Sequence, residues 1–527
     1  MSATCEPGSI FDILGPVMTG PSSSHTAGAV RIGLMAGHVA GGKPREVDIT
    51  FYGPLSRTYR GHMTDSGVVA GLLGMNVDDP RVRTAYEEAK KRGLEVRIHP
   101  LPSSGKNPNA IDLDITTDEG RTSMETVTVG GGEVLVSSID GNPVELRGKS
   151  ETLLVFLEGA DVPENLHGLV STGFISGGKD GAVIVAPLEA PLEAGELEKI
   201  TESEKVRKVR LLPCLYDYGS AAGEPLFRTV KEMIGLVEKT GKRLPEVVEE
   251  YERSRSSLNR KDLRRKMAHV WDVMGESARK GLSGENAMVG GLMPGDDAKR
   301  MLDALKQGKT ISGEVLPLAI ARAISAMEVN ASMGRVCAAP TAGSCGVLPG
   351  ALSAVAETLP ANGETVIDGL VVSGIYGALI ASKAPVSGAV GGCQSEIGVA
   401  SAMAAAALVQ IGGGTAQQTA EAVALALKNL LGLVCDPVAG PVEVPCIKRN
   451  AVGVANAFAA ADMALAGIRS VIPPDEAVDA LRNVQGLLPA ELRGTMLGGL
   501  GSTETAERLK EDWLEKCSRC PGGTVIQ

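Results

Sequence analysis

The stretch GGCQSEIGVASAMAAAAL, residues 391–408, decides the fold of the second half of this chain. Gly391 and Gly392 allow backbone conformations that other residues rarely adopt. The residues after Gln394 are mostly small and apolar, so a helix formed by them would be apolar on nearly all faces, which is typical of a helix at the centre of a domain. The apolar tract around Gly398–Ile411 is shorter than the ~18 uninterrupted residues that a membrane span needs. It therefore predicts a buried core helix.

The sequence on both sides of this stretch continues the helical pattern. Apolar residues recur at helical spacing from residue 226 onward, and the segment Ala416–Val434 is apolar nearly all round. Thr415 and Gln418 have the spacing of a capping box at its start. We expect a mostly α-helical domain over residues 226–527, preceded by a Gly-, Ser- and Pro-containing linker at 214–225.

The first 213 residues have a mixed pattern. Residues 1–148 combine short strand-like runs with turn signals and a helical segment, which predicts an α+β domain. Residues 149–213 contain three further strand-like runs and indicate a small α/β module. The fold class is therefore multidomain, as the length of 527 residues also suggests.

The composition narrows the class of protein. Only 3% of the residues are aromatic while 66 are glycine, so the cores must be built from small side chains on closely packed helices. The formal net charge of -11 argues against a nucleic-acid surface. The start of the chain, MSATCEPGSIFDILGP, has neither a basic leader nor an apolar signal run. We expect a cytoplasmic protein that binds neither nucleic acid nor a membrane.

Three of the nine cysteines have unusual neighbours. Cys393 follows two glycines, Cys435 precedes Pro437, and Cys446 follows Pro445, so we expect each of them at a helix boundary. A helix N-terminus lowers the pKa of a thiol and favours the thiolate, which is the form that binds iron. Buried cysteines are also common in cores, and the spacing alone does not decide between metal ligands and core thiols.

Several blocks of the chain resemble one enzyme family. The segments GGCQSEIGVASAMAAAAL, CDPVAGPVEVPCIKRNA and AAPTAGSCGVLPG resemble the α part of the iron–sulfur-dependent L-serine dehydratases. FDILGPVMTGPSSSHTAGA and GHMTDSGVVAGLLGMNVDDP resemble the β part of that family, and residues 149–213 resemble an ACT-like module that is short for a complete one. The similarity covers nearly the whole chain, in the order β part, ACT-like module, α part.

This resemblance implies a cofactor and a reaction. Cys393, Cys435 and Cys446 would hold a [4Fe–4S] cluster with one open iron, which would act as a Lewis acid in removing water from a small hydroxy amino acid. The expected products of L-serine are pyruvate and ammonia, and no PLP is needed. In some relatives a C-terminal cysteine caps the open iron, which makes Cys517 and Cys520 candidates for a fourth ligand. Family members also lead us to expect a homo-oligomer.

The reaction also needs a base for the Cα proton. The candidates are His25 and His62, which lie in the polar blocks PSSSHT and GHMTD, and the sequence does not say which of them is the base. With the resemblance, the residues expected to contact substrate are Ser22, Ser23, Ser24, Thr26, Thr64, Asp65, Asn109, Thr341, Gly343 and Ser344.

Two departures from the family pattern leave the substrate open. The family block His-Pro-Asn reads Asn107-Pro108-Asn109 here, and Met63 replaces a residue that is usually glycine. A related hydro-lyase for another 3-hydroxy acid, such as 2-(hydroxymethyl)glutarate, is therefore a second hypothesis. A third is a non-catalytic iron–sulfur sensor whose ACT-like module binds an effector.

Overall fold

The computed structural model describes residues 6–518 apart from 103–104, 160, 179–180, 189, 191, 193–194, 217, 219–222 and 359–362. Cys520 and part of the predicted linker 214–225 lie outside the described residues. The chain forms two compact units: one contains residues 24–220, and the other combines the described residues before Ser24 with those after Ser220. Each unit is described by itself.

The strands of the described residues are, in chain order, β1 (Val17–Thr19), β2 (Pro44–Tyr52), β3 (Glu95–Leu101), β4 (Ala110–Thr117), β5 (Gly120–Gly130), β6 (Glu133–Ile139), β7 (Asn142–Leu146), β8 (Thr152–Leu157), β9 (Phe174–Gly178), β10 (Gly181–Pro187), β11 (Val206–Leu212) and β12 (Arg335–Cys337).

The α-helices of the same residues are α1 (Gly28–Ala40), α2 (Leu55–Thr58), α3 (Thr64–Leu72), α4 (Ala85–Arg92), α5 (His167–Thr172), α6 (Glu196–Thr201), α7 (Val230–Thr240), α8 (Leu244–Glu252), α9 (Arg260–Lys280), α10 (Asp297–Lys306), α11 (Val315–Ala331), α12 (Val347–Thr358), α13 (Gly363–Lys383), α14 (Gly388–Gly391), α15 (Val399–Ile411), α16 (Ala416–Asn429), α17 (Cys446–Leu465), α18 (Pro474–Leu487) and α19 (Glu504–Ser518).

The unit of residues 24–220 begins with a six-stranded sheet in the order β3-β2-β4-β5-β6-β7, in which only β2 and β3 pair in parallel. Helices α1 and α3 pack closely at Gly33, which has no side chain. A Cβ atom at this position would lie only 2.2 Å from the carbonyl oxygen of Val68. The glycine-rich composition predicted such close helix pairs, and this unit confirms the mixed α/β character expected of the N-terminal region.

Residues 152–212 form a second sheet with the order β11-β8-β10-β9. Their element order is strand, helix, strand, strand, helix, strand, and all pairs are antiparallel, which is the ferredoxin-like split βαβ topology. Leu166 and Ile200 pack with sheet residues such as Leu153 and Ile184 in one apolar core. The segment predicted as a small module thus has a core of its own.

The other unit is mostly helical, as predicted. Helix α15 lies at its centre, with every residue from Val399 to Val409 buried, and packs against α12, α13, α16 and α17. Its buried residues are mainly alanines, which confirms a core of small side chains. Helix α13 has the length and composition of a membrane span, but 83% of its apolar window is buried within the protein, as in a core helix.

The N-terminal residues differ from the predicted domain plan. Strand β1 pairs antiparallel with β12, with Val17 opposite Cys337. The Ser9 hydroxyl and the Ile10 N–H donate to the carboxylate of Glu252 on α8, at 2.6 and 2.8 Å. These bonds join residues 6–23 to the helical unit, whereas the sequence pattern grouped them with residues 24–148.

Candidate functional site

Cys393 lies where the sequence predicts, at the start of a helical segment. Gly392 has a φ of +79°, a conformation that favours glycine, and the chain then makes a π-helical turn over Gln394–Gly398 that continues into α15. The Gln394 side chain donates to the carbonyl oxygen of Gly391 at 3.0 Å and accepts from the N–H of Gly432 at 2.9 Å. Cys393 is 2% exposed, so this turn holds a buried thiol.

Cys435 does not lie at a helix end, contrary to the prediction. Helix α16 ends at Asn429 and not at Val434, and Gly432 then adopts a φ of +84°. Cys435 lies in an extended segment, where its N–H donates to the carbonyl oxygen of Leu492 at 2.9 Å and its own carbonyl accepts from Gly494 at 2.6 Å. A segment almost 60 residues later in the chain therefore fixes the position of this cysteine.

Cys446 is the first residue of α17, at the helix boundary that the sequence predicts, and Pro445 is the N-cap. Asn450, one turn later, donates from its side chain to the carbonyl oxygens of Cys446 and Gly343, both at 2.9 Å. It also accepts from the N–H of Gly346 at 3.0 Å. Asn450 thus links the start of α17 to the loop Thr341–Ser344.

The cysteines form a candidate metal centre together with a carboxylate. One ligand atom each from Cys393, Cys435 and Glu396 lies within 4.8 Å of the others. The thiol of Cys446 is close enough to Cys393 and Glu396 for their negative charge to raise its pKa. The sequence did not single out Glu396, although a carboxylate three residues after a cysteine in an apolar tract was a visible signal.

The thiol pKa values differ from the prediction. The hydrogen bond with Cys393, together with burial, raises the pKa of Cys435 well above its usual value, and burial is the largest cause for Cys446. Burial and mutual proximity thus have a larger effect on the thiol pKa values than the helix N-terminus has. A cluster of thiols and a carboxyl group fits a metal group, because metal binding displaces the thiol protons and thiolates are the ligands that iron–sulfur clusters use.

Arg449 is a second residue that the sequence did not single out. On the first turn of α17, its Nη1 donates to the sulfur of Cys393 at 3.4 Å and to the carbonyl oxygen of Val434 at 2.7 Å. The same atom forms an ion pair with Asp436 at 2.8 Å. Arg449 therefore connects the chain segments that carry all three cysteines.

The loop Thr341–Ser344 and part of the serine-rich block lie together. The Oγ of Ser23 accepts from the N–H of Ala342 at 3.2 Å, and Thr341 Oγ1 donates to Glu396 at 3.0 Å. Ser344 is fully buried and donates to the carbonyl oxygen of Ala339 at 3.0 Å. Ser22, which precedes Ser23, is half-buried. Of the predicted substrate residues, Ser23, Thr341 and Gly343 are thereby connected to the cysteine site.

His25 and His62 stack on each other in the other unit, with ring centroids 4.8 Å apart. Ser24 Oγ lies 2.8 Å from Nδ1 of His25, and Asn109 Oδ1 lies 3.4 Å from Nε2. Nδ1 of His62 is buried and has no hydrogen-bond partner among the described residues. Burial lowers the pKa of His25 to about 4 and that of His62 to about 3, so both rings are neutral near pH 7.

Three more of the predicted residues, Thr26, Thr64 and Asp65, lie in the same unit as this pair. Thr26 Oγ1 donates to the carbonyl oxygen of His62 at 2.7 Å, and Thr64 Oγ1 is buried with no partner among the described residues. Asp65 accepts from the hydroxyl of Tyr86 at 3.0 Å, and burial raises its pKa. Asp65 therefore contacts Tyr86, while no described hydrogen bond joins it to His62.

The structure shows the backbone conformation and the contacts of the two residues that depart from the family pattern, Met63 and Asn107. Met63 has a φ of +52° at the N-cap of α3, which is the left-handed region that favours glycine. Asn107 is exposed, and its side-chain oxygen accepts from the N–H of Asn109 at 2.9 Å. The side chain of Cys517, in the last turn of α19, lies outside the described residues.

Comparison with protein families matches both parts of the chain. Residues 9–101 match the model of the serine dehydratase beta chain, and residues 239–501 match that of the serine dehydratase alpha chain. The probable L-serine dehydratase alpha chain of Bacillus subtilis is 46% identical over 286 residues, which are 54% of this chain and 95% of that relative. The L-serine dehydratase of Helicobacter pylori is 30% identical over 510 residues, which are 94% of this chain and 99% of the relative.

A third relative, L-serine dehydratase 2 of Escherichia coli, is 29% identical over 515 residues and spans 93% of this chain and 98% of its own length. The chain is therefore a lyase with a β-type part followed by an α-type part. It belongs to the L-serine dehydratase family.

Proposed function

We propose that this chain dehydrates and deaminates L-serine to pyruvate and ammonia with a [4Fe–4S] cluster held by Cys393, Cys435 and Cys446. The observation that carries this proposal is the cysteine centre, where Cys393 and Cys435 lie within 4.8 Å of Glu396 and of each other and Cys446 is close by. Full-length relatives named L-serine dehydratase supply the reaction.

When bound, the cluster would supply a Lewis-acidic iron that polarises the β-hydroxyl group of the substrate. Residues of the chain position the cysteine ligand and the loop that is proposed to bind substrate. Arg449 orients Cys393 through its N–H···S contact, and Asn450 holds the loop Thr341–Ser344 against the start of α17. This loop and Ser23 offer hydroxyl and N–H groups for a substrate carboxylate. Cys517 and Cys520 stay candidates for capping the cluster.

For the base we propose His62. Its Nδ1 has no partner among the described residues and can accept a proton, whereas both ring nitrogens of His25 face the polar groups of Ser24 and Asn109. His25 would orient the His62 ring through stacking. Loss of the Cα proton and of hydroxide gives an enamine, which tautomerises to an imine. Water then releases ammonia and leaves the 2-oxo acid, so no PLP is required.

The names of the relatives favour L-serine over another 3-hydroxy acid and an enzyme over a sensor. We also propose that the ferredoxin-like module is ACT-like with a structural or dimerising role, and that the protein is a cytoplasmic homo-oligomer. We further propose that it acts on a small-molecule substrate and binds neither nucleic acid nor a membrane. Size-exclusion chromatography with light scattering would give the number of subunits, and a monomer would contradict the assembly.

The test of the proposed function uses anaerobically purified protein. We expect four irons and four acid-labile sulfides per chain, and equal amounts of pyruvate and ammonia from L-serine. Cys435→Ser should lose both cluster and activity. Cys214→Ser is the matched control, because Cys214 is exposed and not part of the cysteine centre. Iron-loaded protein that leaves L-serine unchanged would disprove the proposed substrate.

A further inference from the structure

Glu396 has an environment that the proposed reaction does not yet use. It lies in the π-helical turn Gln394–Gly398, and its carboxylate is within 4.8 Å of the sulfurs of Cys393 and Cys435. Two neutral groups hold it: the hydroxyl of Thr341 donates to Oε1 at 3.0 Å, and the N–H of Gly388 is a second donor. The carboxylate therefore has a defined position beside the cysteines and next to the loop Thr341–Ser344.

Two glycines make room for this carboxylate. A Cβ atom on Gly388 would lie 2.6 Å from Oε2 of Glu396, and one on Gly343 would lie 3.1 Å from the same oxygen. A side chain at either position would displace the carboxylate. Gly343 is one of the residues that the sequence predicted to contact substrate, so Oε2 lies next to the predicted substrate loop.

The carboxylate has no cationic partner within the described part of the chain. Among the residues that the structure describes, no Lys, Arg or His forms an ion pair with Glu396. Arg449 is already engaged with Cys393, Val434 and Asp436. Glu396 is half-buried, and a carboxylate removed from water needs hydrogen-bond donors or positive charge. The two neutral donors leave acceptor sites on its oxygens, because a carboxylate has about four.

We infer that Glu396 binds the α-ammonium group of the substrate and thereby selects 2-amino-3-hydroxy acids over 3-hydroxy acids without an amino group. The inference rests on the proposed function. An ammonium group is a compact cation with three N–H donors, which matches a carboxylate with vacant acceptor sites. A substrate such as L-serine would place this charge near Oε2 while Thr341 and Gly388 keep the carboxylate in position.

The test compares two ligands that differ only in the amino group, L-serine and 3-hydroxypropanoate, on the anaerobic holoenzyme. In Glu396→Gln, which keeps the size of the side chain and removes its charge, we expect the KM for L-serine to rise about 10- to 100-fold, as for loss of a hydrogen bond to a charged group. The inhibition constant of 3-hydroxypropanoate should change less than 3-fold. Iron content and the cluster spectrum without substrate should match those of the wild type.

Glu252→Gln is the matched control, because it neutralises a buried glutamate on α8 that bonds to Ser9 and Ile10 and leaves the cysteine centre intact. The inference would be overturned if Glu396→Gln raised the KM for L-serine and the inhibition constant of 3-hydroxypropanoate by the same factor, or if it left the KM for L-serine unchanged. A changed cluster spectrum in substrate-free Glu396→Gln would instead make Glu396 a metal ligand and would also overturn it. Failure of the proposed function is distinct, since the wild-type holoenzyme would then not turn over L-serine.

Discussion

The stacked histidines differ in what their ring nitrogens contact. Both nitrogens of His25 face polar side chains, while Nδ1 of His62 is buried without a partner among the described residues. The sequence predicted the pair but could not separate the two residues, because the partner Asn109 lies 84 residues away from His25. Contacts of this range leave no trace in local sequence patterns.

If His62 is the base, His62→Asn should lower kcat by about 10²- to 10⁴-fold without changing iron content. His25→Asn should have a smaller effect on kcat, since the base itself remains. The measurement is steady-state pyruvate formation by the anaerobic holoenzyme of both variants. A larger loss of kcat in His25→Asn than in His62→Asn would show that His25 is the base and that His62 orients it.

Met63 occupies a backbone conformation that suits glycine. A non-glycine residue in the left-handed region costs roughly 1–2 kcal/mol, and Met63 has a φ of +52°. Met63→Gly should therefore raise the free energy of unfolding by about 1 kcal/mol in urea titrations. Met63→Ala is the control, because it shortens the side chain but keeps the strain. Equal effects of the two substitutions would show that backbone strain is not the cause.

At the scale of elements, the sequence predicted helices well where the apolar pattern was uniform. Helix α15, the start of α17 at Cys446 and the capping box of Thr415 and Gln418 were all confirmed. The end of α16 was placed five residues too late, because residues 430–434 are apolar but form no helix. Their conformation depends on hydrogen bonds with Gln394 and Arg449, which lie far away in the sequence and are not visible to helix propensity.

The first turn of α17 carries a contact that should tune the proposed cluster. Arg449 donates to the sulfur of Cys393, and hydrogen bonds to ligand sulfurs raise the reduction potential of a cluster. Arg449→Gln should lower this potential and speed iron loss in air, and Arg449→Lys should restore part of both properties. The measurements are redox titration followed by EPR and iron release over time.

Lys448→Gln is the matched control for Arg449, because Lys448 is the neighbouring residue on α17 and pairs with Asp297 at 3.3 Å. Like Arg449→Gln, Lys448→Gln removes one positive charge, but it removes no contact to a sulfur atom. If Arg449→Gln and Lys448→Gln have the same potential as the wild type, Arg449 has no role in tuning the cluster.

For the whole molecule, a buried carboxyl group couples stability to pH. Burial raises the pKa of Glu252 from 4.5 to about 7. Between these values the folded chain keeps a proton that the unfolded chain has released, so the free energy of unfolding falls as pH rises from about 4.5 to about 7. The contribution is on the order of 3 kcal/mol.

Urea titrations of the wild type and Glu252→Gln at pH 5, 6, 7 and 8 would measure this effect. The difference in unfolding free energy between the two proteins should grow in favour of Glu252→Gln as the pH rises. Glu250→Gln, at an exposed position of the same helix, should keep the pH dependence of the wild type. A difference that does not vary with pH would contradict the coupling.

The pairing of β1 with β12 has a consequence for how the protein is made. Val17 pairs with Cys337, so about 320 residues must still leave the ribosome before β1 can meet its partner. At translation rates of about 5–20 residues per second, this takes roughly 20–60 s. The unit of residues 24–220 is complete well before that and can fold first. The N-terminal strand must therefore stay unpaired on the nascent chain, where chaperones can shield it, until the helical unit emerges.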